Sequence, residues 1–438
     1  MTEKILVGLS LSTYLIGTYL IWFNKKNIFN HMSIGLCVVA YVIPIFVLNF
    51  ENYSNAEIWA LYAKINIIGC ISFIGGLILG YKWKNLTVVD NVIKFQFLKT
   101  LYFDDERINK IIRISNRIFL IGIIGVIISY MAMGFIPLFS ENPYMAKFFK
   151  GQYQAPYQRV AFIYRTARQL IEFLMPLKIL EIFLNKKLKD IILVLVAIIL
   201  IVLSLNRGAV ALGVLTAISI IVALKKSNLP FWTFLVLVFI TFSVGSGIVY
   251  IIGYFFPNLS GLEGIATGDN FFEAIALGAP DIPDQLGFLS AFLNSGAHYT
   301  YGLTFIGGLI PFNFEWNPGI YTLRILNETK DVSEISSGGL RLSPALWGYV
   351  SFGWFGVVFL PFFTAFFSGY IIRKMKIILN NLAANRNGYV VFFMVYFMFS
   401  STAQLFTTFY SISIYWLPSF FIFYLLLRVK RKKILTST

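Results

Sequence analysis

The stretch IILVLVAIILIVLSLNRGAVALGVLTAISIIVAL, residues 191–224, decides the fold class of this chain. It is apolar on both sides of Asn206 and Arg207, and each half approaches the roughly twenty residues that a helix needs to cross a bilayer. A spanning helix satisfies every backbone polar group within its own segment, which lipid requires. The stretch therefore predicts two membrane helices joined by a turn that carries an isolated arginine.

The rest of the chain has the same character. It has 438 residues, of which 58% are hydrophobic and 13% charged, and its mean hydropathy is +0.75. These values lie well outside those of soluble globular proteins. We predict an all-α polytopic integral membrane protein with about 11 transmembrane helices. The predicted spans lie near residues 5–23, 32–50, 57–80, 116–136, 160–183, 191–206, 208–224, 231–254, 344–370, 388–409 and 412–427.

The basic residues predict the orientation of these spans. Six segments that alternate along the predicted topology hold 24 of the 36 Lys and Arg residues. They lie at residues 25–26, 81–117, 185–190, 225–226, 373–386 and 428–433. Because basic residues collect on the cytoplasmic side, we expect the N-terminus outside and the C-terminus inside. The net charge of +16 is then a topology signal, so we expect the lipid bilayer and not nucleic acid as a partner.

This topology divides the chain into three regions. Residues 1–256 hold the first eight helices, and they include an outward basic segment at 139–169. Residues 257–343 form a large outward loop, whose short apolar pieces suit interfacial helices. Residues 344–438 hold the last three helices and a basic cytoplasmic tail.

Arginines on the outward side are the candidate ligand-binding residues. The segment 139–169 carries Arg159, Arg165 and Arg168, and with Arg207 and Arg341 these would make a cationic cavity matched to phosphate oxygens. Each also has a structural explanation. Arg207 and Arg341 lie where interfacial anchors are common. Arg168 precedes Glu172 by four residues, so the two would pair on a helix.

The large outward loop supplies the remaining candidates. His298 is its only histidine, so it is a candidate for proton transfer, although a structural hydrogen-bonding role would also explain it. Tyr299 and Tyr301 could stack on sugar rings or lie in a membrane-interface belt. Arg324 is a further candidate for binding the diphosphate or the glycan.

Three outward motifs and the turn LNRGAVALG (205–213) carry a resemblance to a known family. The motifs are MGFIPLFSENP (133–143), HYTYGLTFIGGLIPFNFEWNPG (298–319) and SSGGLRLSPALWGYVSFGWFGVVF (336–359). Together, with the order of elements across most of the chain, they resemble the oligosaccharide repeat unit polymerases, the Wzy-type O-antigen and capsule polymerases. The turn around Arg207 is also similar to that of the related O-antigen ligases.

The resemblance implies a glycosyltransferase of the bacterial cytoplasmic (inner) membrane. Its substrate would be an undecaprenyl-diphosphate-linked oligosaccharide, polymerised on the outer face, with a chain-length regulator and a flippase as protein partners. Arg207, Arg341 and Arg165 would stabilise the leaving diphosphate. Leu346 and Trp347 stand where related chains often carry a polar or acidic residue, so the base is left to His298 or a loop carboxylate.

The residues are compatible with several further functions. No acidic pair has metal-ligand spacing, so we expect neither a metal ion nor another cofactor. A flippase would also need arginines for a diphosphate, but transporters typically show repeated halves, and no repeat is evident. An O-antigen ligase and a membrane O-acyltransferase also stay open. The acyltransferase would need a supported histidine, and the chain offers only His31 and His298.

Overall fold

The computed structural model describes residues 2–240, 271–278, 281–307, 315–327, 335, 339–407 and 417–429, and every regular element in these ranges is helical. The helices of the first half are α1 (Thr2–Ile16), α2 (Ile28–Cys37), α3 (Ile43–Val47), α4 (Ala56–Lys82), α5 (Thr87–Ile93), α6 (Phe95–Lys99), α7 (Asp105–Met133), α8 (Pro143–Lys147), α9 (Gln154–Asn185) and α10 (Leu188–Leu203). Those of the second half are α11 (Arg207–Leu224), α12 (Leu229–Ile240), α13 (Phe271–Gly278), α14 (Asp281–Asn294), α15 (Leu303–Gly307), α16 (Pro318–Leu326), α17 (Pro344–Leu379), α18 (Arg386–Thr407) and α19 (Leu417–Leu427).

Four helices within the described residues are long and apolar enough to cross a membrane. They are Ile28–Val47, Ala56–Lys82, Asp105–Phe139 and Pro344–Leu379. The all-helical class is thus confirmed for the described ranges, and the count of about eleven spans stays a prediction. Parts of the predicted eighth and eleventh spans, much of the outward loop and the end of the basic tail lie outside the described residues.

Local sequence explains where the long helices begin and end. Asn55 accepts a hydrogen bond from the Ile58 backbone N–H (2.8 Å) and starts α4. Asp104 accepts one from Arg107 (2.9 Å) and starts α7, which ends at Gly134 in the left-handed region (φ 73°). These are ordinary helix caps, which satisfy backbone groups that the helix leaves unpaired at its ends.

The turn predicted around Arg207 joins two helices in the structure, and that these two helices span a membrane stays a prediction. The chain leaves α10 after Leu203 and enters α11 at Arg207, and Leu205 between them has a positive φ of 57°. Both helices pack on α9, which runs unbroken through the sequence YRTARQ that interrupts the predicted fifth span. The three helices α9, α10 and α11 therefore form one up-and-down unit.

A second unit is built on close contact between α4 and α17. A Cβ atom added at Gly76 would lie 2.2 Å from the Phe362 carbonyl oxygen, and one at Gly80 would lie 1.9 Å from that of Phe366. Because only glycine lets two backbones approach so closely, these residues fix the register of the pair. Ser72 adds a hydrogen bond to the Val358 carbonyl (2.6 Å).

Helix α17 folds back on itself near its start. Phe352 and Gly353 have non-helical backbone angles, with φ +60° at Gly353. Gly348 and Gly356 lie against each other, since a Cβ atom at either would fall about 2 Å from the carbonyl oxygen of the other. In a straight helix these residues would be about 12 Å apart. The apolar run predicted as a single span from 344 to 370 is therefore a short helix that turns back, followed by a long one.

The basic segments that were predicted to share one side meet at one end of the molecule. Hydrogen bonds join Lys25 to Ser227, Lys26 to Leu379, Arg107 to Val429, Arg373 to Lys82 and Arg386 to Asn109. We call this region the basic end. It fixes the direction of α4 and α9, whose last residues Lys82 and Asn185 both lie there.

Candidate functional site

Arg341 and the first turn of α14 form the candidate site. The Arg341 Nε atom lies 2.9 Å from the Asp281 carboxylate, whose side chain is only 5% exposed, whereas the arginine side chain is 60% exposed. Asp284 follows one helical turn later and is half-buried. One nitrogen of Arg341 thus pairs with a buried carboxylate, while much of the arginine side chain is accessible to a ligand.

The surroundings raise the pKa values of both carboxyls. Burial raises the pKa of Asp284 to about 6, and the charge of Asp281 adds to this shift while Arg341 opposes it. Burial also raises the pKa of Asp281, again against the effect of Arg341. A carboxyl with a pKa near 6 is matched to proton transfer close to neutral pH.

Arg341 is held by backbone contacts on both sides of it. Before it, Gly339 (φ +108°) lies against Gly319 of α16, and the Leu340 N–H donates to the Thr322 hydroxyl (3.0 Å). After it, Ser343 caps α17 and donates to the Asn66 side chain of α4 (2.7 Å). Arg341 therefore lies in a short segment, residues 339–343, that packs on α16 and leads into α17; we call this segment the strap.

Beneath this strap, buried polar groups face one another. The Tyr62 hydroxyl of α4 donates to the Gln285 side-chain oxygen of α14 (3.0 Å). The Gln285 side chain is also in hydrogen-bonding contact with Tyr41, which lies near Asp281 and Arg341. Buried polar groups are normally hydrogen-bonded, so these contacts hold α14 against α4 beneath Arg341.

Aromatic rings lie close to the site. Arg324 is paired with Glu315 (3.1 Å) and lies over the rings of Trp316 and Tyr321, 5.7 and 5.8 Å from their centroids. Burial raises the pKa of Tyr321 to about 12, so its hydroxyl stays protonated. That hydroxyl is buried without a hydrogen-bond partner in the part of the chain that the structure describes. Tyr321 is only 3% exposed, so the ring of this group that a ligand could reach is the half-buried Trp316.

His298, Tyr299 and Tyr301 lie at the other end of α14. The Tyr299 ring contacts Phe292 (6.5 Å between centroids), and Phe292 is about 16 Å along the helix from Asp281. The backbone N–H groups of Thr300 and Tyr301 donate to the carbonyls of residues 350 and 351, just before the turn in α17 (3.0 Å each). His298 itself is exposed. The structure thus places these three residues at the fold of α17 and away from Arg341.

The three arginines of the outward basic segment lie on α9. Arg168 pairs with Glu172 (2.9 Å), which confirms the pairing expected from their spacing. Arg165 donates to the Tyr157 hydroxyl and lies over its ring (5.4 Å). Arg159 is exposed. Because α9 packs on α7, α10, α11, α18 and α19, this group belongs to a different part of the bundle from Arg341.

Helix register brings the start of α11 to the same level as Arg165 and Arg168. A Cβ atom at Gly213 would contact Met175 of α9 (2.8 Å), and Lys225 lies over the Phe183 ring (5.7 Å). The two helices therefore run in the same direction, and the backbone of Arg207 is level with residue 169. The Arg207 side chain lies outside the described atoms. The backbone of Arg207 thus lies at the level of Arg165 and Arg168, and a single cavity shared with Arg341 stays a prediction.

Asp281, Asp284 and Gln285 were not singled out from the sequence. The acids of the outward loop entered only as unnamed candidates for the base, and the short apolar pieces of the loop were expected to suit interfacial helices. In the structure, Leu286, Phe288 and Leu289 are buried in a core shared with α4 and α17. The spacing of DIPDQ, which puts two acids and an amide on one face of a helix, is the signal that could have identified them.

No protein-family model, curated protein or solved structure matches this chain.

Proposed function

We propose that the chain is a membrane glycosyltransferase that polymerises undecaprenyl-diphosphate-linked oligosaccharide repeat units on the outer face of the cytoplasmic membrane. The observation that carries this proposal is the exposed guanidinium of Arg341 beside Asp284, a carboxyl with a pKa of about 6. Glycosyl transfer from a lipid diphosphate needs one group of each kind: a cation for the leaving diphosphate and a base for the acceptor hydroxyl.

Each residue of the site has a separate role in the reaction. The acceptor hydroxyl oxygen bonds to the anomeric carbon of the donor glycan, and the bond from that carbon to the diphosphate oxygen breaks. Asp284 takes the hydroxyl proton. Arg341 faces the negative charge that develops on the departing undecaprenyl diphosphate, and the half-buried Trp316 contacts a sugar ring.

The distance from the basic end supports an outward site. Tyr62, which bonds to α14, lies about 20 residues before Lys82 in α4, or about 30 Å away. Arg165 lies at a similar distance before Asn185 in α9. This is the thickness of a hydrocarbon core. If the basic end is cytoplasmic, both arginine groups lie near the opposite membrane surface.

Two separate arginine groups fit a polymerase in particular. Donor and acceptor both carry undecaprenyl diphosphate, so a polymerase holds two lipid diphosphates at once. Arg341 is placed for the donor diphosphate because it lies beside the base. The group on α9 and the start of α11, with Arg165 and Arg207, is placed for the acceptor diphosphate.

A product ladder tests the proposal. The purified protein in liposomes receives the host's lipid-linked repeat unit as sole substrate, and products are resolved by gel. We expect a ladder from the wild type, none from Asp284→Asn, and weaker synthesis from Arg341→Lys, which keeps the charge but loses the planar fork. The matched control is Glu57→Gln, an exposed carboxylate in the first turn of α4.

A flippase or a ligase would give a different result in the same assay. Wild-type protein that makes no ladder but moves the substrate between leaflets is a flippase. Wild-type protein that transfers single glycans only to an added lipid acceptor is a ligase. A full ladder from folded Asp284→Asn protein would remove the carboxyl from the mechanism.

A further inference from the structure

A cavity of about 670 Å³ lies at the basic end, far from the candidate site. Five basic side chains from three separate parts of the sequence line it: Arg113, Arg117, Lys187, Lys189 and Arg386. Helix α7 supplies the first two, the start of α10 and the turn before it supply the lysines, and α18 supplies Arg386. Tertiary structure, and not local sequence, brings these charges together.

The charges in this cavity are largely uncompensated. Among the described residues, neither the two arginines of α7 nor the two lysines form an ion pair. Arg386 forms one long ion pair, of 3.8 Å, with the exposed Asp105. The Nε atom of Arg386 is buried with no described hydrogen-bond partner. Like charges held close together repel, so an anion in the cavity would be stabilised.

The one acidic residue in the lining does not cancel this charge. Glu181 is bound to the fully buried Lys178 (2.7 Å), which also contacts Asp190 (3.2 Å) and donates to the Asn116 side chain. Asn116 and Glu181 form part of the cavity wall. Because one lysine serves two carboxylates, this buried group keeps a single net negative charge against the five basic side chains of the lining, and the Asn116 amide donates to Glu181 (3.4 Å).

Apolar surface continues directly from the basic residues. On α7, Ile121 lies one turn beyond Arg117 and is 60% exposed; on α10, Ile192 lies close to Lys189 and is 53% exposed. Basic side chains followed by exposed apolar ones along the same helices match a ligand with a charged head and hydrocarbon chains. A soluble phosphate compound would use only the first of these features.

We propose that this cavity binds the phosphate headgroup of an anionic membrane lipid, with the acyl chains along the exposed apolar faces of α7 and α10. The guanidinium groups of Arg113 and Arg117 hold phosphate oxygens, and Lys187 and Lys189 close the other side. This site goes beyond the proposed function, because it lies at the opposite end of the molecule from Arg341 and takes no part in the reaction.

Lipid titration with native mass spectrometry tests the proposal. Dioleoylphosphatidylglycerol is added to the full-length protein in detergent, and the apparent Kd of the tightest-bound lipid is measured. Since each basic residue near an anionic headgroup contributes appreciably, we expect about fivefold weaker binding for each one removed, or roughly 25-fold for Arg117→Gln with Lys189→Gln. Zwitterionic dioleoylphosphatidylcholine should bind weakly to wild type and variant alike.

The matched control removes two neighbouring charges outside the cavity, Lys110→Gln with Lys186→Gln. Equal losses in the control and cavity variants would show attraction by general surface charge and overturn the proposal. Millimolar inorganic phosphate that displaces the lipid completely would overturn the lipid assignment in favour of a soluble phosphate. Should the cavity double variant not be monodisperse, Arg113→Gln alone serves, and unchanged lipid affinity in it would equally overturn the site.

Discussion

Two adjacent glycines in α4 provide a direct test of the α4–α17 contact. A Cβ atom at Gly76 would lie 2.2 Å from the Phe362 carbonyl oxygen and within 3.0 Å of two further backbone atoms of that residue. A Cβ atom at Gly75 would meet nothing within 4 Å. The substitutions Gly76→Ala and Gly75→Ala therefore change composition and helix propensity equally and differ only in this contact.

The structure sets the size of the expected difference. Alanine in place of a helix-interior glycine stabilises by about 0.5–1 kcal/mol, and Gly75→Ala should show this gain alone. In Gly76→Ala, the obstacle is backbone, which cannot rotate away, so α4 and α17 must separate by about 1 Å to restore ordinary contact. Overpacking of this kind costs about 1–3 kcal/mol. Because the gain in helix propensity is the same in both variants, we expect them to differ by the overpacking cost alone, about 1–3 kcal/mol, with Gly76→Ala the less stable.

Heating followed by size-exclusion chromatography in detergent measures this difference. The fraction of monodisperse protein that remains after heating gives an apparent Tm for each variant, and Gly76→Ala should melt several degrees below Gly75→Ala. Equal melting temperatures would refute the reasoning, because the two helices would then not be in backbone contact at Gly76. A deficit in Gly75→Ala instead would place the contact on the wrong face of α4.

Two further predictions concern charged groups. Lys178→Met leaves Glu181 and Asp190 buried without their cation, so it should destabilise the protein by about 3–5 kcal/mol. Lys189→Met should have little effect on stability. Equal melting temperatures of the two variants would contradict the buried network. The pKa of Asp284 of about 6 predicts that the rate of ladder synthesis falls about tenfold per pH unit below pH 6, since the protonated acid cannot accept a proton; a flat rate between pH 7 and 5 would exclude it as the base.

Local patterns were sufficient to predict the parts of the fold that depend on one segment. The hairpin at Arg207 follows from the length of the apolar runs on each side of it. The pair formed by Arg168 and Glu172 follows from helix periodicity alone. The meeting of the basic segments at one end follows from their alternation along the chain, since successive spanning helices must reverse direction.

The turn within α17 could not be predicted in this way. The sequence from 344 to 370 is apolar throughout, and a single Gly353 within it is compatible with a continuous helix. The reversal depends on Gly348 and Gly356 meeting each other, and on residues 300 and 301 donating to carbonyls freed by the break. These are contacts between distant segments, which hydropathy does not report.

The pKa of Asp284 has the same tertiary origin. In the sequence it is one of several acids of the outward loop. The spacing of DIPDQ puts it on one helix face with Asp281, but does not show that this face is buried, whereas Glu315 is 60% exposed in the structure. Its shift depends on the packing of α14 against α4 and α16, which removes water from one face of the helix. The sequence therefore predicted the base only as His298 or a loop carboxylate, without naming which acid.

The basic residues of α7 show that sequence position alone does not identify which side chains line the cavity. Lys110 and Arg113 lie three residues apart on α7, and both belong to a segment that the positive-inside rule explains in full. Only Arg113 lines the cavity, because α10 and α18 approach that face of the helix. The positive-inside rule explains how many basic residues lie at the basic end, but not which of them face the same cavity. An anionic ligand binds more strongly where basic residues share one concave surface, because their potentials add there, whereas scattered surface charges are screened by salt. The two doubly substituted proteins, equal in charge and different in convergence, separate these two contributions.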